Sequence, residues 1–141
     1  MNCYLVENTQ THELVIVDPG ADANRILAAV GRRRPAAVLL THGHYDHIGA
    51  VDEVCAHFGI PVYAHPADAP KLTDPVLNVG AEFDCDVRVK TVPLPVADNQ
   101  VLTLAGMKIT VLHTPGHSKG GVCYLLPENA GHRLEFTGSY A

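Results

Sequence analysis

The sequence has no apolar run approaching the ~18 residues that a membrane-crossing helix needs. It has no basic excess either: 10 Lys and Arg stand against 15 Asp and Glu, a formal charge of -5. That sign argues against nucleic acid and against an anionic membrane surface as partners. Internal repeats and low-complexity tracts are missing. Cys3, Cys55, Cys85 and Cys123 lie far apart with no C-x-x-C pair, so neither a zinc ribbon nor a redox motif has the spacing it requires. Four lone thiols suit a reducing compartment. Met1-Asn2-Cys3-Tyr4-Leu5-Val6 shows no basic n-region and no cleavage pattern, and the expected location is cytoplasmic.

What remains is an ordinary globular composition, 47% hydrophobic and 18% charged over 141 residues. That length is expected to make one domain over residues 1–141, able to bury roughly two thirds of its unfolded surface. Tyr4-Leu5-Val6 and Leu14 to Val17 read as strands joined by a polar turn, and Asp18-Pro19-Gly20 ends the second. Ala23 to Val30 has the apolar spacing of one helix face, as does Val51 to Phe58. Ala36 to Leu40 is a continuous apolar run, as expected of a strand covered on both faces. Pro61 to Ala64 is a short strand, and residues 65–100 form a long, poorly periodic excursion. Val101 to Leu104 with Met107 to His113 predicts a hairpin; Val122 to Leu126 with Arg133 to Phe136 predicts another around residues 127–131. The order of elements is an α/β, mixed-sheet pattern.

Nine histidines are many for this length, and five fall into two clusters, each just after a predicted strand. The first is Thr41-His42-Gly43-His44-Tyr45-Asp46-His47-Ile48-Gly49. Its four ligand-capable side chains sit at offsets that neither a helix nor a strand brings onto one face. A turn leaving a strand can converge them. One histidine at a strand end is ordinarily a surface or capping residue. Three with an aspartate beside a buried strand would repel on protonation unless a cation is held, and such donors suit zinc, iron or manganese. In the second cluster, His113-Thr114-Pro115-Gly116-His117-Ser118, the Pro-Gly turn presents His117, while His113 reads as a supporting or plain strand residue. His12, His57, His65 and His132 read as solvated or capping residues.

His42-x-His44-x-Asp46-His47 after an apolar strand, with Thr-Pro-Gly-His117-Ser some seventy residues on, resembles the metallo-β-lactamase fold. More narrowly it resembles the glyoxalase II-like branch, whose opening hairpin and Asp-Pro-Gly turn are matched by residues 2–6 and 17–20. The resemblance implies an αββα sandwich, of which this chain would be the N-terminal portion. It also implies a binuclear centre. His42, His44 and His117 would hold one metal, Asp46 and His47 would begin the second, and Asp18-Pro19-Gly20 would support the metal loop without binding. Where the family carries a bridging Asp after Phe-Thr-Gly, this chain has Ser139, a neutral and poor ligand. The second position is therefore expected to be the weaker one.

The activity implied is that of a metal-dependent hydrolase using a metal-activated water, with Asp46 as the catalytic carboxylate and one or two zinc ions as cofactor. Its substrate would be a small ester or thioester of the hydroxyacylglutathione kind. Two alternatives stay open: a mononuclear iron persulfide dioxygenase on the same scaffold, and a catalytically impaired metal-binding remnant. A small-molecule substrate is the expected partner. A second copy of the chain, or a complementary C-terminal half, is expected to cover apolar strands left open.

Overall fold

In the computed structural model of the chain, described for residues 2–126 and 131–139, two sheets are stacked and helices cover the outer face of one of them. The chain begins with β1 (Asn2–Asn8) and β2 (Glu13–Val17), an antiparallel pair. Helix α1 (Ala23–Val30) crosses to β3 (Arg34–Leu39), parallel to β2. The short α2 (Tyr45–Ile48) and α3 (Val51–Phe58) lead to β4 (Val62–Ala64), parallel to β3. After the excursion come β5 (Leu94–Pro95), β6 (Val101–Leu104), β7 (Met107–His113), β8 (Val122–Leu125) and β9 (His132–Ser139). One sheet has the order β5-β4-β3-β2-β1-β9 and the other the order β6-β7-β8. This is a mixed α/β fold with the helix, sheet and sheet layers of the metallo-β-lactamase sandwich. None of the described helices is long and apolar enough to cross a membrane.

Side chains alternate across the first sheet, and both faces are apolar because both are covered. Leu5, Leu14, Ile16, Val38 and Leu40 face α1 and α3, joining Ile26, Val30, Val51 and Val54. Val6, Val15 and Leu39 point the other way, against Met107, Ile109, Val111 and Val122 of the second sheet. The continuous run through Val38 and Leu40 is thus a strand sandwiched between layers, as its pattern predicts. Among the described residues, one face of the second sheet is covered. The row that runs through Val101, Thr110 and Leu125 looks outward, with Val101 54% and Leu125 51% exposed.

One expectation fails. Val122–Leu125 and the strand after residue 131 do not pair as a hairpin: β8 lies beside β7, whereas β9 lies antiparallel to β1 in the other sheet. The alternating Val122 and Tyr124 side chains belong to the inter-sheet core, so the chain changes sheets at a point where its turn residues suggest a tight reversal. Of the turn expected there, residues 127–130 lie outside the described residues. The excursion has little regular structure apart from two 3₁₀ turns and β5, and side chains hold it in place. Asn78, fully buried, donates to the carbonyls of Lys71 and Val87 and accepts from the Gly80 N–H. Asp52 of α3 accepts from the N–H groups of Lys90 and Thr91 and from the Thr91 hydroxyl.

Candidate metal centre

The two histidine loops meet because the two sheets are tied at one end. The Val122 N–H, at the start of β8, donates to the Thr41 carbonyl just beyond β3 at 2.9 Å. Two residues later the Tyr124 hydroxyl donates to the Leu40 carbonyl at 2.6 Å. These bonds set the loop of residues 113–121 against that of residues 41–47.

His42, His44 and His117 then each offer a ligand atom, all within 4.8 Å of one another. His117 Nε2 lies 3.1 Å from His44 Nδ1, and the His42 ring centroid is 4.8 Å from that of His44 and 5.6 Å from that of His117. Burial, helped by the neighbouring His47, lowers His42 to about 4. Burial and His117 lower His44 in the same direction. Both imidazoles are therefore neutral at pH 7, the form that binds metal. Three imidazoles converging without a carboxylate among them are a donor set that fits a divalent ion such as zinc or iron. A cavity of about 230 Å³ lined by Thr41, His42, Thr114, His117, Ser118, Gly121 and Val122 opens beside them.

Beneath the triad, Asp18 anchors the first loop. Its carboxylate accepts from the Thr41 N–H at 2.8 Å, the Thr41 hydroxyl at 2.5 Å and His47 Nδ1 at 2.9 Å. The network assigns two tautomers. His47 donates through Nδ1 to Asp18. The Thr41 hydroxyl donates its hydrogen bond to Asp18, so at 3.0 Å it accepts from His42 Nδ1, which leaves His42 Nε2 free as a ligand. Orienting a ligand imidazole through its other nitrogen is how metal sites fix ring position.

His47 and Asp46 sit differently from each other. His47 is buried, with its ring centroid 3.8 Å from that of His42, and its ligand atom groups with those of His42 and Asp18. Asp46 lies in neither group of mutually close ligand atoms; its Oδ1 is 3.8 Å from His47 Nε2 and its side chain is 32% exposed. Asp18, read from the sequence as a support near the loop, has its carboxylate inside that second group. The Ser139 side chain lies outside the described residues; its backbone ends β9 opposite Asn2. His113 does not join the triad. Its Nε2 lies 2.8 Å from the Lys119 carbonyl, and its ring stacks on His65 at 4.1 Å. The residue that sequence reasoning missed is Asp68, 1% exposed, which bonds to both histidine loops. It lies in the aperiodic excursion, where no pattern marks it.

The depressed histidines make acid sensitivity an expected property of the metal-free protein. A group with a folded pKa below its unfolded value stabilises above the unfolded value, about 6.5 here, and loses that contribution as pH falls towards the folded one. His42 titrates in this sense between about 6.5 and about 4, and His44 adds to it. The thermal midpoint of metal-free protein should therefore fall steadily from about pH 7 to about pH 4.5. Differential scanning fluorimetry across that range is the check, and a flat profile would show that the histidines are not held neutral by the fold.

Comparison with known proteins agrees with this architecture. The profile of the metallo-beta-lactamase superfamily matches residues 2–129. An uncharacterized protein of Mycobacterium tuberculosis is 38% identical over 97% of this chain and 66% of its own length. The probable metallo-hydrolase YqgX of Bacillus subtilis is 35% identical over 82% of this chain and 56% of its own length. Hydroxyacylglutathione hydrolase of Yersinia pestis is 36% identical over 86% of this chain and 41% of its own length. Among solved structures, the BLEG-1 B3 metallo-beta-lactamase superposes with a TM-score of 0.81 at 39% identity, covering 88% of this chain and 61% of that one. TTHA1623 in a di-iron-bound form gives 0.70 at 35% identity, with 89% and 62% covered. The chain thus spans between two fifths and two thirds of the length of these relatives. With a family profile matched across most of its residues, a sandwich of the same layers and a histidine triad where its two sheets join, the chain belongs to the metallo-beta-lactamase superfamily.

Proposed function

We propose that this chain carries the first metal position of a zinc-dependent hydrolase acting on a small ester or thioester. The observation that carries the reading is the convergence of His42, His44 and His117 from two loops some seventy residues apart. The hydroxyacylglutathione hydrolase among its relatives favours a thioester. A bound divalent ion supplies Lewis acidity and lowers the pKa of water to about 7. The residues of the chain do the rest. Asp18 and Thr41 hold His42 in the tautomer that presents Nε2. Asp46, partly exposed beside His47, is the carboxylate we assign to accept a proton from the attacking water and return it to the leaving group. Ser139 in place of a carboxylate leaves the second position, at Asp46 and His47, the weaker of the two.

The test is hydrolysis of a hydroxyacyl glutathione thioester by zinc-loaded protein, followed by loss of thioester absorbance, beside an Asp46→Asn variant. Turnover that falls by about 100-fold or more in the variant supports the reading, that being the scale of a general base. Turnover unchanged by the variant would remove Asp46 from it. A second reading, an iron-dependent oxidoreductase, has one observation in its favour, the di-iron form of a 35% identical structure. Oxygen uptake with glutathione persulfide by iron-loaded protein, with no thioester hydrolysis, would select it. Tight metal binding with neither activity would mark the remnant.

A further inference from the structure

Asp68 is a carboxylate with every acceptor position used. Its Oδ2 accepts the Gly43 N–H at 2.7 Å, its Oδ1 accepts the Gly120 N–H at 2.8 Å, and the Ser118 hydroxyl reaches both oxygens at 2.6 and 2.8 Å. The Lys71 ammonium lies 3.2 Å from Oδ1 and also donates to the Ser118 hydroxyl. Burial alone would raise this carboxyl. Ser118, the Gly43 and Gly120 N–H groups and Lys71 together hold it below the usual carboxylate range, so it is charged and paired.

The position of these donors matters more than their number. Gly43 lies between His42 and His44, and Ser118 follows His117 directly. One side chain, from a third segment of the chain, therefore grips the backbone of both ligand loops at once. The two glycines are what allow so close an approach. A Cβ on Gly120 would lie 2.5 Å from the Asp68 nitrogen and 2.8 Å from its Cβ, and one on Gly43 would lie 2.9 Å from the Lys71 Cβ. Elsewhere among the described residues the loops are tied through Val122 to Thr41, through Tyr124 to Leu40 and through the ring contacts of the histidines themselves.

We propose that Asp68 is a positioning residue that clamps the His42–His44 loop to the His117 loop and so builds the three-histidine geometry before any ion arrives. The inference rests on the metal reading above. Ligand loops held in place bind an ion without ordering the chain at that moment, and loss of such outer partners weakens metal affinity by about 10- to 100-fold. Lys71 completes the clamp by neutralising the buried charge, and Ser118 relays between them.

The experiment is competition for zinc against a chromophoric chelator, using wild-type, Asp68→Asn and Ser118→Ala chains, with the visible spectrum of the cobalt(II) forms and the thermal midpoints of the metal-free forms. The asparagine keeps the shape but offers one acceptor oxygen in place of two. Zinc dissociation constants should rise about 10- to 100-fold in Asp68→Asn and by less in Ser118→Ala. The visible cobalt(II) bands should weaken in the same order. If Asp68→Asn does not fold, Ser118→Ala alone decides by the same two readouts. Variants that lose thermal stability but keep wild-type zinc affinity and an unchanged cobalt spectrum would overturn the clamp and leave the metal reading standing. A wild-type chain that binds neither ion would overturn both.

Discussion

Replacing His117 with alanine should abolish tight metal binding while leaving the metal-free fold almost untouched. His117 is exposed and belongs to neither apolar core cluster; its ring meets those of His42 and His44, so no core packing is lost with it. Surface changes of that kind fall within about 0.5 kcal/mol. The ion, by contrast, loses the one ligand that comes from the second loop. A drop of about 1,000-fold in affinity is expected, three tenfold steps of about 1.4 kcal/mol each. Isothermal titration with zinc and a thermal scan of the metal-free variant measure the two halves. Wild-type affinity in His117→Ala would mean that the ion sits elsewhere, at the Asp18, His42 and His47 group being the obvious place.

Asp18→Ala should do the opposite and damage the fold as much as the site. The carboxylate is buried and satisfies the Thr41 N–H, the Thr41 hydroxyl and His47 Nδ1. Removing it strands those donors. Hydrogen bonds to a charged group contribute about 1.5–3 kcal/mol each, and buried donors left alone add their own desolvation. Thr41 can reorient its hydroxyl towards His42, which recovers part of the loss. A net destabilisation of about 3 kcal/mol follows, or about 10 °C in the thermal midpoint for a chain of this size. With the His42 tautomer no longer fixed, metal affinity should fall about 10- to 100-fold as well. Chemical denaturation of the metal-free variant isolates the first effect. A loss below about 1 kcal/mol would show that water, not Asp18, satisfies this end of the loop.

How much of this was legible in the sequence depends on whether the signal is local. Val38 to Leu40 reads as a doubly covered strand because its pattern lacks alternation, and α1 and α3 read as helices because their apolar residues recur on one face. The candidate ligands of the first loop stand out because four possible donors in six positions have no comfortable explanation without a cation. Their meeting with His117 is not written locally. It depends on the Val122–Thr41 and Tyr124–Leu40 bonds between sheets, which only the assembled fold creates. The same non-locality hides the sheet change between β8 and β9, where a turn-rich segment looks like a hairpin. Asp68 is hidden more deeply. An aspartate beside Pro66 and Pro70 in an irregular segment looks like any surface turn residue, and its three loop partners lie 25 to 52 positions away.

The metal content of the wild-type chain tests the central claim most directly. After dialysis against excess zinc and then against metal-free buffer, elemental analysis should find one equivalent per chain, held by His42, His44 and His117. Retention of none would contradict the account, because three imidazoles whose ligand atoms already lie within 4.8 Å of one another should bind a divalent ion without further ordering.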